Sequence, residues 1–146
     1  MLQLHPIALR LLAVLFLVGG LGVAATAYLA SSGKAADTAA AAHVRAASSA
    51  AEAWYQDPLG GSGSYRGMTE SGLLREAPSV STNVRVTVLA GGAAYCLSDV
   101  ETHGHSAYYV GGDVKRLTQL DGANVLTPTI LSGPGADAMS VCASLR

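Results

Sequence analysis

Hydrophobic positions along the chain change their spacing twice, and each spacing predicts a different element. From Leu11 to Ser32 the only ionisable side chain is the phenol of Tyr28. At about 1.5 Å per residue, a helix of this length would span about 33 Å. That length matches the hydrocarbon core of a bilayer, about 30 Å. The segment 11–32 therefore predicts a transmembrane helix that follows a short cytoplasmic N-terminus, 1–10.

The second pattern repeats every three to four residues over 34–57 and predicts an amphipathic helix. Alanine, the strongest helix former, dominates the segment, and neither proline nor glycine interrupts it before Pro58. Polar side chains, Glu52 among them, fall mostly on the side away from the apolar stripe. The apolar stripe comprises Val44, Ala47, Ala51, Trp54 and Tyr55. The spacing does not decide whether this helix continues directly from the segment 11–32.

The third pattern, with a period of two, begins after a glycine-rich connector and a short helix predicted at Glu70–Glu76. In residues 83–89 valine alternates with polar side chains, which is typical of a half-buried strand. Gly91-Gly92 predicts a turn, and Gly111-Gly112 is expected to end the third strand. The further predicted strands are 93–98, 105–110 and an edge strand within 124–131. Their short connections require antiparallel pairing.

These elements predict an α+β fold, in which a long N-terminal helix packs on a small antiparallel sheet of three to four strands. The expected extracytoplasmic domain is 33–146, with the sheet and a disulfide-closed C-terminal region in 83–146. Arg10 precedes the apolar segment, and Lys34 is the nearest cation after it. The positive-inside rule places the short end in the cytoplasm and the domain outside. Ala25-Thr26-Ala27 leaves open the alternative of a signal-peptidase site and a cleaved signal.

Cysteine content and charge narrow the possible functions. The chain has two cysteines, Cys96 and Cys142, and a net charge of -1. An even cysteine count in an exported domain favours one disulfide, with two buried free thiols as the alternative. Nucleic-acid binding needs several convergent cations, whereas Lys115-Arg116 is the only adjacent basic pair in the sequence. We therefore expect no nucleic-acid partner.

No residue pattern in the sequence nominates a catalytic, cofactor-binding or metal-binding site. His103 and His105 flank Gly104, and we interpret them as solvent-exposed loop histidines. No G-x-S-x-G elbow occurs. Adjacent strand residues point to opposite faces, so one of Tyr108 and Tyr109 should pack near the helix while the other is exposed. We therefore predict a non-enzymatic protein without catalytic residues, cofactor or metal.

The ordered combination of these features resembles the type IV pilin and pseudopilin superfamily, in particular small actinobacterial-type pilin-like proteins. An apolar helix with an alanine-rich continuation precedes the shared motifs. These motifs are Val44-Arg45-Ala46-Ala47, Glu52-Ala53-Trp54-Tyr55, Gly63-Ser64-Tyr65-Arg66-Gly67-Met68-Thr69, Tyr95-Cys96 and Tyr108-Tyr109 before Gly111-Gly112-Asp113. The resemblance implies a long helix whose outer half packs on a sheet. It also implies a C-terminal loop closed by Cys96 and Cys142.

The chain departs from that family at its beginning. The prepilin-processing glycine and the early glutamate are missing, because no glycine precedes Gly19 and no acidic residue precedes Asp37. The leading functional expectation is a non-catalytic pilin-like or pseudopilin-like subunit of an envelope filament or secretion machine. Its expected partners are the membrane and copies of itself or other pilin-like subunits. The alternatives are a membrane-tethered binding module that does not polymerise and, least favoured, a small exported enzyme.

Overall fold

The structure is a computed structural model that describes residues 32–100, 104–117, 126–133 and 135–145. The chain divides into two compact units, Met1–Ala35 and Ala36–Arg146. All the contacts discussed below lie within the second unit.

This second unit combines helices with one four-stranded sheet, so the predicted α+β class is confirmed. The first helix, α1, is described over residues 32–56, and its residues from Ala36 onward belong to this unit. The other helices are α2 (Glu70–Glu76) and α3 (Ala138–Ser144). The strands are β1 (Val84–Leu89), β2 (Ala94–Val100), β3 (His105–Gly112) and β4 (Thr129–Ser132). They pair antiparallel in the order β1-β2-β3-β4, which confirms the predicted meander.

Local sequence explains where the helices begin and end. Helix α1 stops one residue before Asp57, where Pro58 follows and cannot continue the hydrogen-bond ladder. Helix α2 begins after Thr69, whose hydroxyl accepts a hydrogen bond from the Gly72 amide at 3.2 Å. Such a cap satisfies one of the amides that a helix start leaves without a partner. Both predicted helices therefore occur close to the expected positions.

Both faces of the sheet are covered by a helix. Because β-strand side chains alternate between the two faces, each face has its own set of packed residues. Helix α1 packs on the face that carries Tyr95 and Leu97, and it contributes Ala40, Val44, Ala47, Ala50, Ala51 and Trp54. Helix α3 packs on the opposite face, against Cys96 and Val110. The result is a helix–sheet–helix arrangement with an apolar cluster on each side of the strands.

The disulfide predicted as one of two alternatives is present between Cys96 and Cys142. Cys96 lies in the central strand β2 and Cys142 in α3, and neither side chain is exposed to solvent. The bond therefore holds the C-terminal helix against the sheet face opposite α1.

Two sequence predictions about element boundaries need correction. The edge strand is limited to Thr129–Ser132, so it begins after Pro128, which has no amide hydrogen for a ladder. Strand β3 also runs two residues further than predicted, through Gly111 and Gly112. Gly111 pairs with Tyr95 in the ladder. A side chain on Gly111 would lie 2.5 Å from the ring of Tyr95, so this glycine serves packing within the strand.

The predicted membrane localisation also needs correction. None of the helices in the described part of the chain combines the length and the apolar character that a bilayer crossing requires. This finding contradicts the single-pass membrane localisation, and we withdraw that prediction. Residues 1–10 and the predicted span 11–32, except for Ser32, lie outside the described residues.

Candidate ligand-binding groove

Four tyrosines meet at one end of the helix–sheet interface, near the last turn of α1. The ring centroids of Tyr55 and Tyr65 are 4.9 Å apart, and those of Tyr65 and Tyr95 are 4.6 Å apart. Tyr109 stacks on Tyr95 with a centroid distance of 6.2 Å. Tyr65 and Tyr95 are buried, whereas Tyr55 is 38% exposed. We call these four residues the tyrosine cluster; its outer members form a partly open aromatic surface.

The carboxylate of Glu52 binds the two buried members of the tyrosine cluster. Tyr95 donates its hydroxyl proton to Oε1 at 2.9 Å, and Tyr65 lies 3.0 Å from both carboxylate oxygens. Burial, and then the negative charge of Glu52, raise the pKa values of both phenols. Glu52 itself lies on the exposed part of α1 and pairs with no cation in the described ranges. Within the described ranges, the hydrogen-bond partners of the Glu52 carboxylate are therefore the two phenols and not a cation.

The loop between α1 and α2 fixes the position of Tyr65. The amide of Tyr65 donates to the carbonyl of Gly92 at 2.9 Å, and the hydroxyl of Ser64 donates to the same carbonyl at 3.2 Å. Gly92 has a φ of 98°, and a Cβ there would lie 2.7 Å from the Ser64 hydroxyl. Only glycine fits this close approach of the loop to the turn between β1 and β2. The Gly-Ser-Tyr sequence therefore places an aromatic ring beside α1.

Next to the tyrosine cluster lies an open groove of about 540 Å³, which we call the tyrosine groove. This volume falls within the range of about 300–1,000 Å³ that is typical of ligand sites. It is lined by Glu52, Tyr55, Tyr65, Ala93, Tyr109, Gly112, Asp113 and Leu126. A second depression of about 340 Å³ shares Tyr55, Ala93 and Asp113 with it. The two depressions therefore adjoin each other along one side of the domain.

Backbone strain is concentrated around these depressions. In the described ranges, the residues other than glycine with positive φ are Ser62, Ala90 and Leu126, at 46°, 47° and 65°. Ala90 lines the smaller depression, Leu126 lines the tyrosine groove, and Ser62 directly precedes Gly63 of the smaller depression. Such conformations are energetically unfavourable and cluster at functional sites. Their location therefore favours this side of the domain as the functional surface.

The histidine predictions are wrong for His105 and untested for His103, which lies outside the described residues. His105 begins β3, and its Nδ1 lies 2.8 Å from the carboxylate of Asp37 on α1. A second pair joins His43 of α1 to the fully buried Asp99 of β2 at 2.9 Å. His105 and His43 thus connect α1 to the sheet.

Of the prediction for the two adjacent tyrosines, the packing of one near the helix is confirmed and the exposure of the other is wrong. Tyr109 does face α1, where it joins the tyrosine cluster. Tyr108 is only 9% exposed, because it packs beneath α3 with Cys142 and Leu145. The sequence pattern alone gave no sign that a C-terminal helix covers the second face.

Sequence reasoning overlooked Glu52 as the acceptor of the tyrosine cluster. It assigned Glu52 to the solvent side of α1 and placed Tyr55 in the apolar stripe. The only local signal is a carboxylate three residues before a tyrosine, on a helix that a Gly-Ser-Tyr loop follows. This signal does not identify Tyr65 and Tyr95 as the hydrogen-bond partners of Glu52.

The described residues contain no group of three or more histidine, cysteine or acidic side chains that could hold a metal ion. Comparison with family models, with curated proteins and with solved structures gives no match to the chain.

Proposed function

We propose that the described domain is the head domain of a pilin-like structural subunit, which acts by contacting other protein surfaces and not by catalysis. The observation that carries this proposal is the placement of α1 along one face of the four-stranded meander. On the opposite face, the C-terminal helix is held by the Cys96–Cys142 bond. This arrangement fits the resemblance of the motifs between Val44 and Asp113 to pilin-like sequences.

The solvent side of α1 supports self-association as the mode of action. Small side chains occupy several of its exposed positions, namely Ala42, Ala46, Ser49 and Ala53, although Arg45 and Glu52 are exposed on the same helix. Helices with small side chains at a contact approach each other closely, which increases the packing that association can gain. In a filament subunit this face would contact the α1 helices of neighbouring copies.

Site-specific photocrosslinking in the producing cells tests this proposal. A photoreactive amino acid at Ala46 should give dimers and higher multimers of this chain in sheared surface filaments. The matched control replaces Thr82, an exposed residue in the loop before β1, and should give far fewer self-adducts. Absence of the chain from filaments, together with equal crosslinking at both positions, would exclude the filament role.

A second candidate is a binding module that does not polymerise, and the tyrosine groove favours it. Tyrosine, serine and glycine dominate the two adjoining depressions, a composition that protein-recognition surfaces also use. Sedimentation of the purified full chain over a wide concentration range separates the two candidates. A chain that stays monomeric and is never found in filaments supports the second.

A further inference from the structure

We propose that the tyrosine groove binds the side chain of an arginine presented by a partner peptide. This inference depends on the groove and is independent of whether the protein assembles into filaments. It rests on the charge of the lining, the orientation of its hydrogen-bond donors, and the way in which the same domain binds one of its own arginines.

The charge of the groove favours a cation. Glu52 and Asp113 both line it, and only Asp113 has a cationic neighbour, Arg116, at 3.0 Å. Among the described residues, no lysine, arginine or histidine contacts Glu52. Because the site carries a carboxylate that forms no ion pair with a cation of the described ranges, a ligand cation gains Coulomb energy there, whereas a ligand anion is repelled.

The hydrogen bonds of the tyrosine cluster also favour a cationic ligand. Tyr65 and Tyr95 each have a single hydroxyl proton, and both donate it to Glu52. The inner side of the groove therefore offers oxygen lone pairs, negative charge and aromatic faces. A guanidinium group supplies only donors and a flat, weakly hydrated cation, which stacks on aromatic rings.

The domain already binds one of its own arginines in this way. The guanidinium carbon of Arg75 lies 5.2 Å from the centroid of the Trp54 ring. Its Nη2 atom is 3.1 Å from the carboxylate of Asp57 and 2.9 Å from that of Glu76. An aromatic face and adjacent carboxylates thus hold a guanidinium group within this fold. The tyrosine groove brings together the same two kinds of group, since Tyr109 and Glu52 both line it.

A pair of short peptides that differ in one charge tests the proposal. The oxidised full chain is titrated with acetyl-Gly-Arg-Gly-amide and with the same peptide containing citrulline, which is close to arginine in shape but neutral. Amide chemical shifts report binding. We expect shifts at Ala93 and Gly112 with the arginine peptide. The dissociation constant for the citrulline peptide should be at least about tenfold higher, since the charge interaction is lost.

Two variants locate the binding energy. Glu52→Gln keeps a hydrogen-bond acceptor for the tyrosines but removes the charge, and it should weaken arginine binding at least about fivefold. The matched control, Glu76→Gln, removes the same charge outside the groove and should leave binding unchanged. Tyr55→Leu, which removes an exposed ring without a hydrogen bond to any described residue, should also weaken binding and guards against a folding defect in the first variant.

The proposal fails if the arginine and citrulline peptides bind equally, or if Glu52→Gln and Glu76→Gln have the same effect. It also fails if the folded chain shows no shifts in the groove at about 10 mM peptide, a concentration at which even weak sites fill. Self-association is measured separately by sedimentation, so failure of this inference and failure of the structural proposal are distinguishable.

Discussion

Replacing Tyr95 by phenylalanine isolates the energetic contribution of the bond between the sheet and Glu52. Tyr95 is fully buried in β2, and its hydroxyl lies 2.9 Å from the Glu52 carboxylate. Phenylalanine has the same ring, so the packing against Tyr65 and Tyr109 is retained and only the hydroxyl is lost. The change in unfolding free energy therefore reports mainly on one hydrogen bond between α1 and the sheet.

The expected magnitude follows from the charge of the acceptor and from its exposure. Hydrogen bonds to charged groups contribute about 1.5–3 kcal/mol to stability. Glu52 is exposed and retains Tyr65 as a donor at 3.0 Å, so its carboxylate keeps another partner when the Tyr95 hydroxyl is lost. We therefore expect a loss near the lower limit, about 1.5 kcal/mol. With a urea dependence of about 2 kcal/mol per molar, the midpoint should fall by about 0.75 M.

The assay is urea unfolding of the oxidised full chain, followed by circular dichroism. Tyr55→Phe is the matched control, because Tyr55 is partly exposed and its hydroxyl donates to no described residue. It should change stability by less than about 0.5 kcal/mol. Combining Tyr95→Phe with Glu52→Ala, which removes the acceptor, should give a coupling energy of about 1 kcal/mol. Equal midpoints for the Tyr95 and Tyr55 variants would refute this account of the tyrosine cluster.

Three further predictions concern the disulfide, the strand glycine and alkaline pH. Replacing Cys96 and Cys142 by alanine opens a loop with a sequence separation of 46 residues. Urea unfolding should show a loss of about 4 kcal/mol. Gly111→Ala would place a methyl group 2.5 Å from the Tyr95 ring. We expect it to cost about 1–3 kcal/mol in the same assay and to change the near-ultraviolet dichroism of tyrosine. Because burial raises the pKa values of Tyr65 and Tyr95, the folded state disfavours their ionisation. The contribution of these two phenols to the stability of the fold is therefore complete below a pH of about 10, where unfolded tyrosine ionises. This contribution is lost as the pH rises further. Tyrosinate absorbance should show these two phenols titrating late, together with unfolding; normal titration of both in the folded chain would contradict this.

Periodicity predicted most of the fold because it reflects which side of each element is buried. The three-to-four spacing of Val44, Ala47 and Ala51 placed α1 correctly, and these side chains do lie in the core. The alternation in 83–89 likewise predicted β1 to within one residue. Edge strand β4 was less well predicted, since an edge strand has one partner and its sequence is less constrained by burial.

The tyrosine groove could not be predicted in the same way, because it depends on contacts between residues far apart in the chain. Glu52 and Tyr95 are 43 positions apart, and helical spacing specifies only the direction of a side chain from its own axis. Glu52 lies at the edge of the buried face of α1, where the long side chains of Tyr65 and Tyr95 reach it from a loop and from the sheet. The same limit explains Gly111. A pair of glycines predicts a turn when read locally, whereas across the ladder the missing side chain is what allows the Tyr95 ring to turn towards Glu52. A functional surface made of such cross-element contacts is visible only after the strands are paired.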